Sequence, residues 1–144
     1  MKISRIDGDI SATSLTLPLF ASRVAAGFPS PADDYVEECI DLNRHIVKRP
    51  AATFFARANG DSMIRKGIFN GDLLVIDRSC TPVHGSVVVA ALNGEMVCKL
   101  LDMQQRCLVS ANQRYAPIPI NDAMDCVIEG VVTHCIRYLH VRSG

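Results

Sequence analysis

The rhythm of apolar and polar positions along this chain changes at Pro50. Before it, Met1 to Thr16 mixes Ser, Thr, Ile and Asp with no sustained period. Leu17-Pro18-Leu19-Phe20 forms a small apolar anchor, and Ala21 to Gly27 is dominated by small residues. Such a stretch predicts a loosely packed, flexible N-terminal arm. Phe28-Pro29-Ser30-Pro31 is a rigid hinge, because each proline fixes its own φ and pushes its predecessor toward extended geometry. The arm is therefore assigned to residues 1–27 and the folded domain to residues 28–144. Asp33 to Leu42 fits helix or strand equally. Asp41 is placed to cap a short helix over Leu42 to Lys48, which Pro50 would end.

After Pro50 the pattern is that of strands. Thr53 to Ala58 is rich in aromatic and β-compatible residues. Leu73 to Ile76 is a continuous apolar run, as expected of a strand buried on both faces. Ser86–Leu92 and Glu95–Leu101 flank Asn93-Gly94, and those two residues accept the positive φ of a type I′ hairpin turn. Arg106 to Ser110 reads as a further short strand, Asn112 to Pro119 as turn-rich, and Val127 to Val141 as a long strand that Gly130 bends or bulges. Many short strands with little helix predict a mostly β domain: a curved sheet, a sandwich or a partly open barrel.

Composition narrows the function classes. Of 144 residues, 49% are apolar and 21% charged, so the chain carries enough apolar surface for a folded core. Fifteen Lys and Arg balance fifteen Asp and Glu, which removes the basic excess of a protein that grips nucleic acid by itself. No apolar run reaches membrane-span length and no signal-peptide pattern opens the chain, so a cytoplasmic location without membrane attachment is expected. The six cysteines form no C-x-x-C pair and several lie in apolar runs, which predicts buried free thiols. The four histidines are scattered, so neither a metal nor a cofactor is expected.

Two residues carry candidate chemistry. Gly60 allows a sharp turn after the Thr53–Ala58 strand, and Ser62 follows it. Lys99 interrupts the apolar run Met96-Val97-Cys98-Lys99-Leu100-Leu101. Serine attacks a carbonyl only when a base removes its proton, and lysine serves as that base only when neutral. Withdrawal from water disfavours the charged form of a lysine. The alternative for Lys99 is an edge strand on which its charge blocks unwanted pairing. Ser62 also has two readings. It caps the turn Met63-Ile64-Arg65, or it is a nucleophile beside backbone N–H groups of Asp61 and Ser62 that converge on an oxyanion. Spacing alone does not choose. Asp61 and Asp72 read as turn residues.

Gly27-Phe28-Pro29-Ser30-Pro31-Ala32, Gly60-Asp61-Ser62-Met63-Ile64, Asn70-Gly71-Asp72-Leu73-Leu74, and Gly94-Glu95 followed by Lys99 resemble the UmuD-type members of the LexA/UmuD family of self-cleaving serine–lysine peptidases. The resemblance runs from about Leu17 onward in matching order, and Met1 to Thr16 lies outside it. It implies a mostly β domain whose curved sheet holds the active site in a cleft. It implies Ser62 as nucleophile, Lys99 as general base, and Ala26–Gly27 as the bond cut. Ala26 stands where the best-known UmuD has cysteine, but LexA-type relatives use Ala-Gly there. It further implies a homodimer, a RecA filament on single-stranded DNA as co-protease, and a shortened product that joins a UmuC-like Y-family polymerase in translesion synthesis during the SOS response. An arm of this length is too short for a helix-turn-helix, so direct sequence-specific DNA binding is not expected. The alternative is a non-enzymatic dimeric polymerase-interaction module with an idle dyad.

Overall fold

A computed structural model describes residues 2–6, 14–20 and 36–140. Ala26, Gly27 and the proline hinge lie outside these residues. Two units are distinguished, residues 9–48 and a larger unit of residues 1–8 with 49–144.

In the smaller unit, β2 (Thr16–Phe20) pairs antiparallel with β3 (Val36–Asp41), and α1 (Leu42–Ile46) follows directly. The apolar anchor Leu17–Phe20 is thus a strand. Pro18, which has no N–H to give a ladder, sits in a two-stranded ribbon opposite Cys39. Asp41 stands at the expected N-cap of α1, but its side chain makes no capping bond. Its carboxylate instead accepts from the Ser14 hydroxyl at 3.1 Å and faces Arg44 at 3.8 Å.

The larger unit is one curled sheet. Its strands are β1 (Lys2–Ile6), β4 (Thr53–Asn59), β5 (Leu73–Asp77), β6 (Val87–Leu92), β7 (Glu95–Asp102), β8 (Cys107–Val109), β9 (Ile118–Pro119) and β10 (Cys126–Ile136). Their order is β1-β4-β5-β10-β6-β7-β8-β9, and Lys2 also pairs with Val97 of β7. The sheet therefore closes on itself through β1. The resulting mostly β, partly open barrel agrees with the class expected from the strand-rich sequence. β1 itself falls in the stretch without a sequence period.

The expected turns form for the expected reasons. Asn93 and Gly94 have φ of 49° and 84°, which makes the β6–β7 hairpin a tight turn. Gly71 has φ 89° at the turn before β5. The register of β10 on β6 shifts between Ile128 and Gly130, as a bulge at the glycine requires. β5 is buried almost throughout, and β7 buries both faces: Cys98 packs in one apolar cluster, Val97 and Leu101 in the other.

The thiols divide. Cys98 and Cys107 are buried, whereas Cys39 and Cys135 are exposed and Cys80 and Cys126 are half-buried, all free. The buried thiols expected from the sequence are found at Cys98 and Cys107, whereas Cys39 lies in the small ribbon and Cys135 on an outward position of β10.

Candidate active site

β4 runs directly into the turn that presents Ser62. Gly60 takes φ 99°, a left-handed conformation that a side chain would strain, and its N–H donates to Asn70 Oδ1 at 2.9 Å. The chain then enters a 3₁₀ turn, Ile64–Lys66, stopped by Gly67 at φ 82°. Met63 is fully buried and pins this turn to the core.

Ser62 does not cap that turn. Met63 holds the N-cap position, and no side chain bonds there. Ser62 is 2% exposed and its Oγ has no hydrogen-bond partner among the described residues. A buried hydroxyl without a partner costs about 1–3 kcal/mol, so fold stability alone gives no reason for serine here.

Lys99 is no edge lysine. Its strand lies between β6 and β8, with Val88 directly opposite, and the residue is only 6% exposed. Its Nζ donates to Ser110 Oγ at 2.6 Å and lies 5.3 Å from the centroid of the Tyr115 ring. The Ser62 and Lys99 side chains are therefore not bonded to each other, but the turn that carries Ser62 and the Lys99 amine both meet one segment, residues 110–115. Ala111 N–H points to Met63 Sδ at 3.4 Å, and Ala111 O accepts from Arg65 N–H at 2.9 Å. Asn112 Nδ2 donates to Asp61 O at 2.9 Å. Tyr115 links the two sides, since it stacks near the Lys99 amine while its hydroxyl donates to Asp61 Oδ1 at 2.6 Å.

The bond to Asp61, and then the negative charge of Asp61, push the Tyr115 phenol up from its usual value, which keeps it neutral. Burial pushes the Cys98 thiol up to about 12, so it is an inert neighbour of Lys99 rather than a competing nucleophile. Among the described residues no cluster of His, Cys, Asp and Glu is arranged to hold a metal ion. Asp72 does more than shape a turn. It is buried, accepts from Phe69 N–H at 2.9 Å, and receives two bonds from Arg137 at 3.0 and 2.9 Å.

Sequence reasoning found Ser62, Lys99 and Asp61 but not Ser110, Asn112 or Tyr115. Those three lie at the end of β8 and in the turn-rich stretch after it. Only the register of β8 on β7, with Leu100 opposite Val109, brings them to the Ser62 turn.

A mostly β domain with a buried serine on a strand-ending turn and a buried lysine braced by the same segment defines a class that comparison makes specific. A family model described as Peptidase S24-like matches residues 18–133, and the chain belongs to that family. It is 45% identical over 133 residues to protein ImpA of Salmonella typhimurium, covering 86% of each chain. It is 38% identical over 141 residues to protein MucA of Escherichia coli, covering 94% of each. The LexA repressor of Shewanella denitrificans is 34% identical over 136 residues, which span 92% of this chain and 65% of the repressor. The chain is thus a UmuD-type member of the LexA/UmuD group.

Proposed function

We propose that this protein cuts its own N-terminal arm between Ala26 and Gly27, with Ser62 as nucleophile and Lys99 as general base. The observation that carries this reading is the Ser62 hydroxyl: buried, without a partner among the described residues, and held on a turn braced by the segment that receives the Lys99 amine.

The chemistry balances with these groups alone. Ser62 Oγ attacks the Ala26 carbonyl carbon and passes its proton to the neutral Lys99 amine. Backbone N–H groups of Asp61 and Ser62 are the proposed donors to the oxyanion. The Ala26–Gly27 C–N bond breaks as the Lys99 ammonium returns the proton to the Gly27 nitrogen. Water, deprotonated by Lys99, then hydrolyses the Ala26 ester and frees Ser62. A substrate tethered in the same chain has a high effective concentration, so a slow dyad suffices. Small residues at Ala25, Ala26 and Gly27 suit a cleft that admits backbone.

The finer reading follows the family. A RecA filament on single-stranded DNA stimulates the cut, and the shortened homodimer serves a UmuC-like error-prone Y-family polymerase in the SOS response, in the cytoplasm.

Purified protein held at alkaline pH tests the reaction, because only the unprotonated amine can accept the serine proton. Mass spectrometry is expected to find a fragment that begins at Gly27, formed faster as pH rises. Ser62→Ala and Lys99→Ala are expected to stay intact. Cleavage of either variant at the native rate, or a different new terminus, sinks the assignment, whereas no self-processing of the intact sequence at any pH leaves the idle-dyad interaction module.

A further inference from the structure

The Lys99 amine has a second serine as its partner. Ser110 Oγ lies 2.6 Å from Nζ, both residues are buried at 8% and 6% exposure, and Ser62 Oγ has no partner among the described residues. Ser110 is itself fixed. It follows the end of β8, and the next two residues bond to Met63, Arg65 and Asp61 of the Ser62 turn.

We propose that Ser110 is a positioning residue for Lys99, accepting one amine N–H so that the nitrogen lone pair is left for the Ser62 proton. This rests on the self-cleavage reading above. A neutral amine has two N–H donors and one lone pair, and a long lysine chain holds that lone pair in no particular direction without a partner. A hydroxyl that accepts one N–H removes most of this freedom. Tyr115 limits the remainder, since its ring face lies 5.3 Å from Nζ. A bond from the amine to Ser110 also explains how a buried lysine is tolerated while Ser62 stands unbonded.

The N-terminal charge acts on Cys98 beside Lys99, and Lys2 pairs with Val97 of the same strand. Cys98 on the same strand is held neutral by burial, and Tyr115 is held neutral by Asp61. Asp61 faces Tyr115 rather than Lys99, through the 2.6 Å bond. Ser110 is thus the partner whose removal the amine feels most directly.

The test compares Ser110→Ala and Ser110→Thr with the intact sequence. A hydroxyl that accepts from the amine favours its charged form, so its loss favours the neutral form. Ser110→Ala is expected to lower the alkaline plateau of the cleavage rate about tenfold, the size of one lost hydrogen bond. The rising limb of its pH–rate profile is expected to move to lower pH. Ser110→Thr keeps the hydroxyl and is expected to retain both plateau and profile. A merely structural role would lower the plateau of Ser110→Ala without moving the limb, and that result overturns the proposal. Cleavage lost in Ser110→Ala but kept in Ser62→Ala overturns it too, since Ser110 would then be the nucleophile. A second measurement does not need cleavage: the Lys99 ¹³Cε resonance followed against pH. Its midpoint is expected to fall in Ser110→Ala, and an unmoved midpoint overturns the contact even if Ser62 proves idle.

Discussion

At the scale of single residues, the site is marked by what it costs. Ser62 buries a hydroxyl that no described residue bonds. Replacing it by alanine removes the unsatisfied oxygen and leaves nearly the same volume. Ser62→Ala is therefore expected to abolish cleavage and to stabilise the domain by about 1 kcal/mol in denaturant unfolding. A destabilised Ser62→Ala would mean that the hydroxyl is satisfied in solution and that its lack of a partner is no mark of function. Lys99 was legible because a charge inside an apolar strand breaks a local rule, whereas Ser62, an ordinary turn residue, stood out only through the family resemblance of Gly60-Asp61-Ser62-Met63-Ile64. Ser110 breaks no such rule. A serine after a short strand looks like any loop residue, and its role depends on pairing across β7 and β8, which no local pattern encodes.

Elements show the same division between local and distant causes. β5 and the Asn93-Gly94 hairpin follow from an apolar run and from two residues that accept positive φ. The bulge in β10 was also legible from Gly130, and its strictness can be measured. A Cβ there would lie 2.6 Å from Ile76 Cγ2 and 3.1 Å from the Asp77 carbonyl oxygen. Gly130→Ala is expected to cost about 1–3 kcal/mol, because β10 and β5 must move apart. An alanine variant with the native melting temperature would show that the bulge relaxes freely. The end of β10 is tied down by the Arg137–Asp72 pair. The bonds from Arg137, more than the opposing cost of burial, hold the Asp72 carboxyl below the usual carboxylate range. A depressed carboxylate contributes stability above its unfolded pKa of about 3.9, lost as pH falls through the lower folded value. Asp72→Asn is expected to lose about 2 kcal/mol at pH 7 and to flatten the acid limb of the stability curve below about pH 4. An acid limb as steep as that of the native chain would place the acid sensitivity elsewhere.

At the scale of the whole molecule, the proposed cut removes more than an arm. β1 and β2 both precede Ala26, and each pairs with a strand that follows Gly27: β1 with β4, β2 with β3. None of this was legible, because pairing between distant segments leaves no local period in Met1–Thr16. β1 matters most for the site, since it joins the strand that leads to the Ser62 turn with the strand that carries Lys99. Cutting after Ala26 would turn β4 into an open edge, and an open edge is a template for another strand. The amides that feel this are identifiable. Ala58 bonds to the Gly71–Asp72 turn through both its N–H and its carbonyl, at 2.8 Å each. Strand amides alternate in direction, so those of Phe55, Arg57 and Asn59 face β1. After cleavage and removal of the released fragment, hydrogen exchange at Phe55, Arg57 and Asn59 is expected to speed up, while Ala56 and Ala58 stay protected by their β5-side bonds. Equal protection of both sets in the intact and cut proteins would show that β1 is not what covers this edge. The cut would then act through the β2–β3 ribbon instead.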